Sequence, residues 1–117
     1  MPPFPASRAV PLKRTDAFRA VYRRGRWVRG SLLSLGVLPT EAVRCRIGLR
    51  TRRGLKGAVV RNRLKRQLRG LLAPPRGLTL RAGVDVVIVA HPGTSSVRAD
   101  ALQRELAMLC RKAKILS

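Results

Sequence analysis

From Ala58 to Leu72 the chain reads AVVRNRLKRQLRGLL. A step of 100° per residue gathers Val60, Leu64, Leu68 and Leu71 on one arc, and Arg61, Asn62, Lys65, Arg66 and Arg69 on the opposite arc. The spacing predicts a helix that buries its aliphatic stripe on a neighbouring layer. Four cations one, three or four positions apart repel one another unless an anion lies over them. Asn62 adds an uncharged donor and acceptor among them, suited to a 2′-hydroxyl, a base edge or a water on a bound magnesium ion. Asparagine is also common near a helix start, and the local pattern leaves that reading open.

On the N-terminal side, Arg44 to Thr51 alternates: Cys45, Ile47, Leu49 and Thr51 face one way, and Arg44, Arg46, Gly48 and Arg50 the other. The apolar run Leu32 to Leu38 precedes it across a Pro39-Thr40-Glu41 turn, which predicts neighbouring antiparallel strands. Between this strand and the helix, Arg52, Arg53 and Lys56 surround Gly54 and Gly57, a segment whose amides and charges suit a phosphate, although Walker spacing is absent. Farther back, Thr15 or Asp16 is placed to cap a short helix to about Arg24, with Phe18, Val21 and Tyr22 on one face and Gly25 to end it.

On the C-terminal side, Pro74-Pro75 stops the central helix, and Arg76 to Gly83 reads as a loop without regular structure. Val84 to Ala90 contains four consecutive β-branched residues, Val86 to Val89, and predicts a strand covered on both faces. His91-Pro92-Gly93 turns the chain, and His91 reads as a turn residue rather than a general base. Ser95 or Ser96 is placed to cap a last helix with Ala99, Leu102, Leu106 and Leu109 inward. The order α-β-β(-β)-α-β-α predicts an α+β fold with helices on a mixed sheet. Residues 12–117 are expected to form the single domain, and residues 1–11 a flexible, proline-rich basic arm.

Charge narrows the function. The 117 residues carry 26 Lys and Arg against 5 Asp and Glu, a formal charge of +21. Self-repulsion of that size is most readily offset by a polyanion, so nucleic acid is the expected partner. Most of the cations are arginine, whose guanidinium can fork onto phosphate and stack on a base. Cys45 and Cys110 lie far apart without CxxC spacing and read as small buried apolar residues in a reducing compartment. The acids Asp16, Glu41, Asp85, Asp100 and Glu105 form no paired pattern that would hold two metal ions, so no catalytic residue and no metal ligand is assigned. No apolar run approaches a bilayer span, and neither a membrane partner nor an obligate protein partner is inferred. Phe18 and Tyr22 share a helical face. They suit either stacking on unpaired bases or ordinary core packing.

Two stretches carry a family resemblance: Arg46-Ile47-Gly48-Leu49 and, above all, Ala58 to Arg69 with its Arg61-Asn62-Arg63 and following Lys65-Arg66. In these the chain resembles the protein subunit of bacterial ribonuclease P. The likeness runs from Leu12 through Asp16-Ala17-Phe18, Val21-Tyr22 and Gly25 to Gly83 to Val87 and the last helix. The resemblance implies a left-handed βαβ crossover through the central helix, which general handedness rules would have rejected. It implies that Arg52, Arg53, Lys56, Arg61, Asn62, Arg63, Lys65, Arg66 and Arg69 face the catalytic RNA. It implies also that Phe18, Tyr22, Arg46 and Arg50 line a cleft for the 5′ leader of precursor tRNA. Hydrolysis would then belong to an RNA that holds the magnesium ions, in a bacterial-type cytoplasm. The alternative is a ribosomal or RNA-chaperone protein with similar charge. Three positions depart from the family's pattern. Its paired lysines and spaced glycine read here as Arg53-Gly54-Leu55-Lys56, Gly70 follows Arg69, and Gly36 stands where a tyrosine is usual. Gly36 is expected to remove one stacking platform, which Gly36→Tyr should restore.

Overall fold

The computed structural model describes residues 3–5, 10–41, 45–51, 58–72, 79–81, 83–91 and 98–115. The central element is the strand β7 (Val84–Ala90), and every one of its residues is buried. A strand apolar on both sides gains most from a position where both faces are covered. It takes that position here, in the middle of a five-stranded sheet. The sheet contains β2 (Val10–Pro11), β3 (Arg26–Arg29), β4 (Leu33–Pro39), β5 (Arg46–Thr51) and β7, in the order β2-β5-β7-β4-β3.

This order overturns one expectation. β4 and β5 are not neighbours, because β7 lies between them, antiparallel to β4 and parallel to β5. The Pro39–Glu41 turn reverses the chain direction, but the space beside both strands goes to the most apolar segment. The helix α2 (Ala58–Leu72) lies in the connection between the parallel neighbours β5 and β7, which makes the βαβ unit that the resemblance implies.

Among the described residues three helices cover the sheet. The helix α1 (Thr15–Arg24) places Phe18 and Val21, together with Leu12, on Val87 and Val89 of one face. On the other face Leu33, Leu35, Val37, Val86 and Ile88 meet Leu68 of α2 and Leu102, Leu106 and Leu109 of α3 (Ala99–Lys112). Cys45 and Cys110 are buried in this second core, and burial is the main cause raising their thiols to about 11 and about 12. Among the described residues no helix is long and apolar enough to cross a membrane.

The helix ends differ from the sequence reading. Arg14 is the N-cap of α1 and makes no side-chain cap, while Asp16 accepts from the adjacent Ala17 amide. Gly25 follows α1 with an ordinary negative φ, and its requirement is space, since a Cβ there would lie 2.4 Å from the Val21 carbonyl oxygen. Arg98, not a serine, occupies the N-cap of α3; Ser95 and Ser96 lie outside the described residues. At its other end α3 closes in a Schellman motif, with Ile115 N–H donating to the Cys110 carbonyl and Lys114 N–H to that of Arg111. Lys114 takes the left-handed conformation, φ 59°, and Ile115 is buried.

Two segments expected to lack structure form strands. Within residues 76–83, β6 (Thr79–Arg81) pairs antiparallel with β1 (Pro3–Pro5) from the arm. The arm, expected to be flexible, is paired a second time where Val10–Pro11 runs parallel to Arg46–Ile47. β1 and β2, the two strands of the arm, carry their prolines at sheet edges, where a missing N–H is tolerated.

Candidate nucleic-acid interface

The first surface is the outer arc of α2. Arg61, Asn62, Arg63, Arg66 and Arg69 are exposed, and Lys65, three residues before the buried Leu68, is half-buried. The first turn contains no acid, and among the described residues none of these cations takes part in an ion pair. The helix thus presents a row of guanidinium and ammonium groups with their donors turned to solvent, an arrangement that suits phosphate oxygens. Gly70 continues that exposed side, and a Cβ built there meets nothing within 4 Å. Arg52, Arg53 and Lys56 lie outside the described residues.

The second surface is the sheet face under α1. The strand registers set Gly48, Val87, Gly36 and Trp27 side by side. The two glycines leave a trough, and two rings fill it. A Cβ on Gly48 would lie 2.4 Å from Cζ of Phe18, and one on Gly36 would lie 2.6 Å from Cζ2 of Trp27. The guanidinium of Arg50 sits 4.0 Å over the Phe18 ring, a cation–π contact. Phe18 is only 6% exposed, so the structure places it in the core with Arg50 as its outer cover. Tyr22 is 51% exposed and stacks on Trp27, with ring centroids 5.2 Å apart and planes 22° from parallel.

Arg46 belongs to the neighbouring row, with Asp85 and Leu38. Its Nε and Nη2 donate to the two oxygens of the buried Asp85 at 2.8 and 2.6 Å. That fork, more than any other influence, raises the guanidinium's pKa still further. Its Nε and one terminal nitrogen thus face the sheet, and Arg46 anchors one end of this face. At the other end of the face the register aligns Arg50, Val89, Ser34 and Arg29, with both arginines exposed. His91 is buried beside this row, its Nε2 2.6 Å from Ser34 Oγ.

Sequence reading missed Trp27 and Glu105. Trp27 lies on the short strand β3, where four residues show little alternation; its being the chain's only tryptophan was the available signal. Glu105, read as a scattered acid, is buried on α3 and accepts from the Ser31 amide and hydroxyl and from the Leu32 and Leu33 amides at 2.6–3.1 Å. It holds the turn between β3 and β4, and a Cβ on Gly30 would meet its carboxyl carbon at 2.7 Å. Asp85 and Glu105 are therefore structural acids, and among the described residues no three His, Cys, Asp or Glu side chains gather to hold a metal ion.

A small α+β protein with a cationic helix on one side of its sheet and an aromatic, arginine-flanked face on the other belongs to the class built to lie against nucleic acid. Comparison with known proteins is more specific. Residues 6–114 match the family described as Ribonuclease P. The ribonuclease P protein component of Brevibacillus brevis is 30% identical over 90% of this chain and 83% of its own, and that of Dehalococcoides mccartyi is 33% identical over 91% and 86%. The RNase P protein of Staphylococcus aureus superposes with a TM-score of 0.79 at 20% identity, covering 94% of this chain and 100% of its own. That of Thermotoga maritima gives 0.75 at 20% identity, covering 87% and 96%. The chain belongs to the ribonuclease P protein family.

Proposed function

We propose that this chain is the protein subunit of a ribonuclease P ribonucleoprotein, the endoribonuclease that matures the 5′ end of tRNA. Its partner is the RNA of that enzyme, and the protein supports cleavage without carrying out the hydrolysis. The observation that carries this reading is family membership over residues 6–114, joined to a cationic α2 face that has no acid in its first turn. Arg61, Asn62, Arg63, Lys65, Arg66 and Arg69 bind the catalytic RNA, with Arg52, Arg53 and Lys56 extending that contact. The cleft between α1 and the sheet takes the 5′ leader of precursor tRNA in the bacterial cytoplasm.

Magnesium ions supply electrostatic stabilisation and an activated water in such a reaction, and the RNA holds them. The described acids do not fit a metal pair, because Asp85 is committed to Arg46 and Glu105 to the β3–β4 turn. The protein's own part is binding and orientation. The α2 cations offset phosphate charge along the catalytic RNA, and Asn62 adds an uncharged donor and acceptor beside them. Contacts to a leader that mature tRNA lacks add affinity for precursor alone, so the product leaves more readily than the substrate. Reconstitution with a cognate ribonuclease P RNA tests the reading. Protein should restore 5′ cleavage of precursor tRNA at low magnesium and raise precursor affinity over mature tRNA. Cofractionation with ribosomes and no effect on cleavage would refute it.

A further inference from the structure

We propose that Trp27 and Tyr22 together form a two-ring platform on which an unpaired nucleobase of single-stranded RNA stacks. This rests on the reading that the α1–sheet cleft receives the leader. The platform is built from β3 and α1, and its indole lies over Gly36 of β4.

The geometry begins with the glycine. A Cβ on Gly36 would lie 2.6–2.7 Å from Cζ2, Cε2 and Cη2 of Trp27, consecutive atoms of the benzo ring. The indole therefore occupies the space that a β4 side chain would need, and glycine is what lets it settle against the sheet. Tyr22 then stacks on the indole as a second layer. Two rings about 3.5 Å apart in the stacking direction with centroids 5.2 Å apart are displaced sideways by roughly 4 Å, the offset arrangement that aromatic pairs prefer. Offset leaves part of each ring uncovered. Tyr22 remains half-exposed and Trp27 is not fully buried, so the pair presents an aromatic surface beyond what the core requires.

The surroundings select the ligand. Arg29 lies two residues along β3 on the same face as Trp27, about 7 Å away, and it is exposed, as is Arg23, the neighbour of Tyr22 on α1. Cations flanking stacked rings match a nucleotide strand, with bases on the aromatic surface and phosphates on the guanidinium groups. Stacking accepts any base, so the platform recognises an unpaired strand and not a particular sequence.

Trp27 is the only tryptophan, which makes intrinsic fluorescence a reporter of this one site. The full-length protein is titrated with a short unstructured oligoribonucleotide and, separately, with an abasic oligomer of equal charge. Base-dependent quenching is expected with the first alone. Equal responses to both, or saturable binding of the first without quenching, would overturn the platform. In reconstituted holoenzyme, Trp27→Ala and Tyr22→Leu should each lower the precursor-to-mature affinity ratio by about 5-fold or more, at the weak end of measured base–aromatic stacking. Trp27→Phe should retain much of the ratio, and the double variant should lose little more than the worse single one, because the rings act together. A lowered melting temperature with an unchanged ratio would make Trp27 a filler of the glycine trough and refute the proposal. If Trp27→Ala does not fold, the wild-type quenching and the exposed Tyr22→Leu variant still decide. Base-dependent quenching in a holoenzyme without precursor preference would sink the leader reading while sustaining the platform.

Discussion

Glu105→Ala should destabilise this protein more than most single truncations, because one carboxylate serves four donors from the β3–β4 turn. Ser31 is exposed, so its amide and hydroxyl can turn to water when the carboxylate is removed. Leu33 is fully buried and Leu32 is half-buried, and their amides donate to Glu105 at 2.6 and 2.7 Å. A buried donor left without a partner costs about 1–3 kcal/mol. Two such donors give roughly 2–6 kcal/mol, against a total stability on the order of 5–15 kcal/mol for a domain. At this chain length each kcal/mol moves the melting temperature by about 3–5 °C, so a fall of roughly 6–30 °C is expected. Glu105→Gln should lose a large part of the same stability, since its amide NH2 would point donors at donors. Urea unfolding followed by circular dichroism, with the slope against denaturant compared between variants, measures the effect. A loss below about 1 kcal/mol for Glu105→Ala at unchanged slope would show that water replaces the carboxylate, and the reasoning would be wrong.

Single alanine replacements of Arg61, Lys65, Arg66 or Arg69 should each lower the slope of log K against log salt for the catalytic RNA by about 0.7–0.9; unchanged slopes for all four would mean a merely solvated face. Gly36→Tyr, expected from sequence to restore a platform, should instead weaken precursor binding, because its Cβ already meets the Trp27 ring; tighter binding would contradict this packing. Lys114→Gly should raise stability by up to about 1 kcal/mol in thermal unfolding, since Lys114 holds a left-handed φ of 59° that glycine adopts without strain. The thiols of Cys45 and Cys110, raised to about 11 and about 12, stay protonated in the folded chain while unfolded thiols ionise. The folded state thus binds more protons above about pH 9, and the thiols should cost stability as pH rises from there; a double Cys→Ala variant should show a shallower fall, and an identical pH profile would remove the thiols from the account.

What the sequence determined by itself is the part governed by local periodicity. The 100° step of leucines and arginines located α2 at Ala58–Leu72, and a run of β-branched residues marked β7 as buried on both faces. Both patterns report how a segment divides between apolar and wet surroundings, and that division is written in neighbouring residues. Adjacency is not. That β7 would separate β4 from β5, or that Pro3–Pro5 would pair with Thr79–Arg81, depends on competition among strands far apart in the chain. The same holds for the sites. Phe18 and Tyr22 share a helical face, and nothing in that spacing says that one ring lies under Arg50 while the other rests on Trp27. Glu105 meets Ser31 across 74 positions and Arg46 meets Asp85 across 39, so the roles of both acids arise only when the helix and the strands close. Close packing makes these assignments: a missing Cβ at Gly36 or Gly48 becomes a seat for an aromatic ring only once the neighbouring element is laid over it.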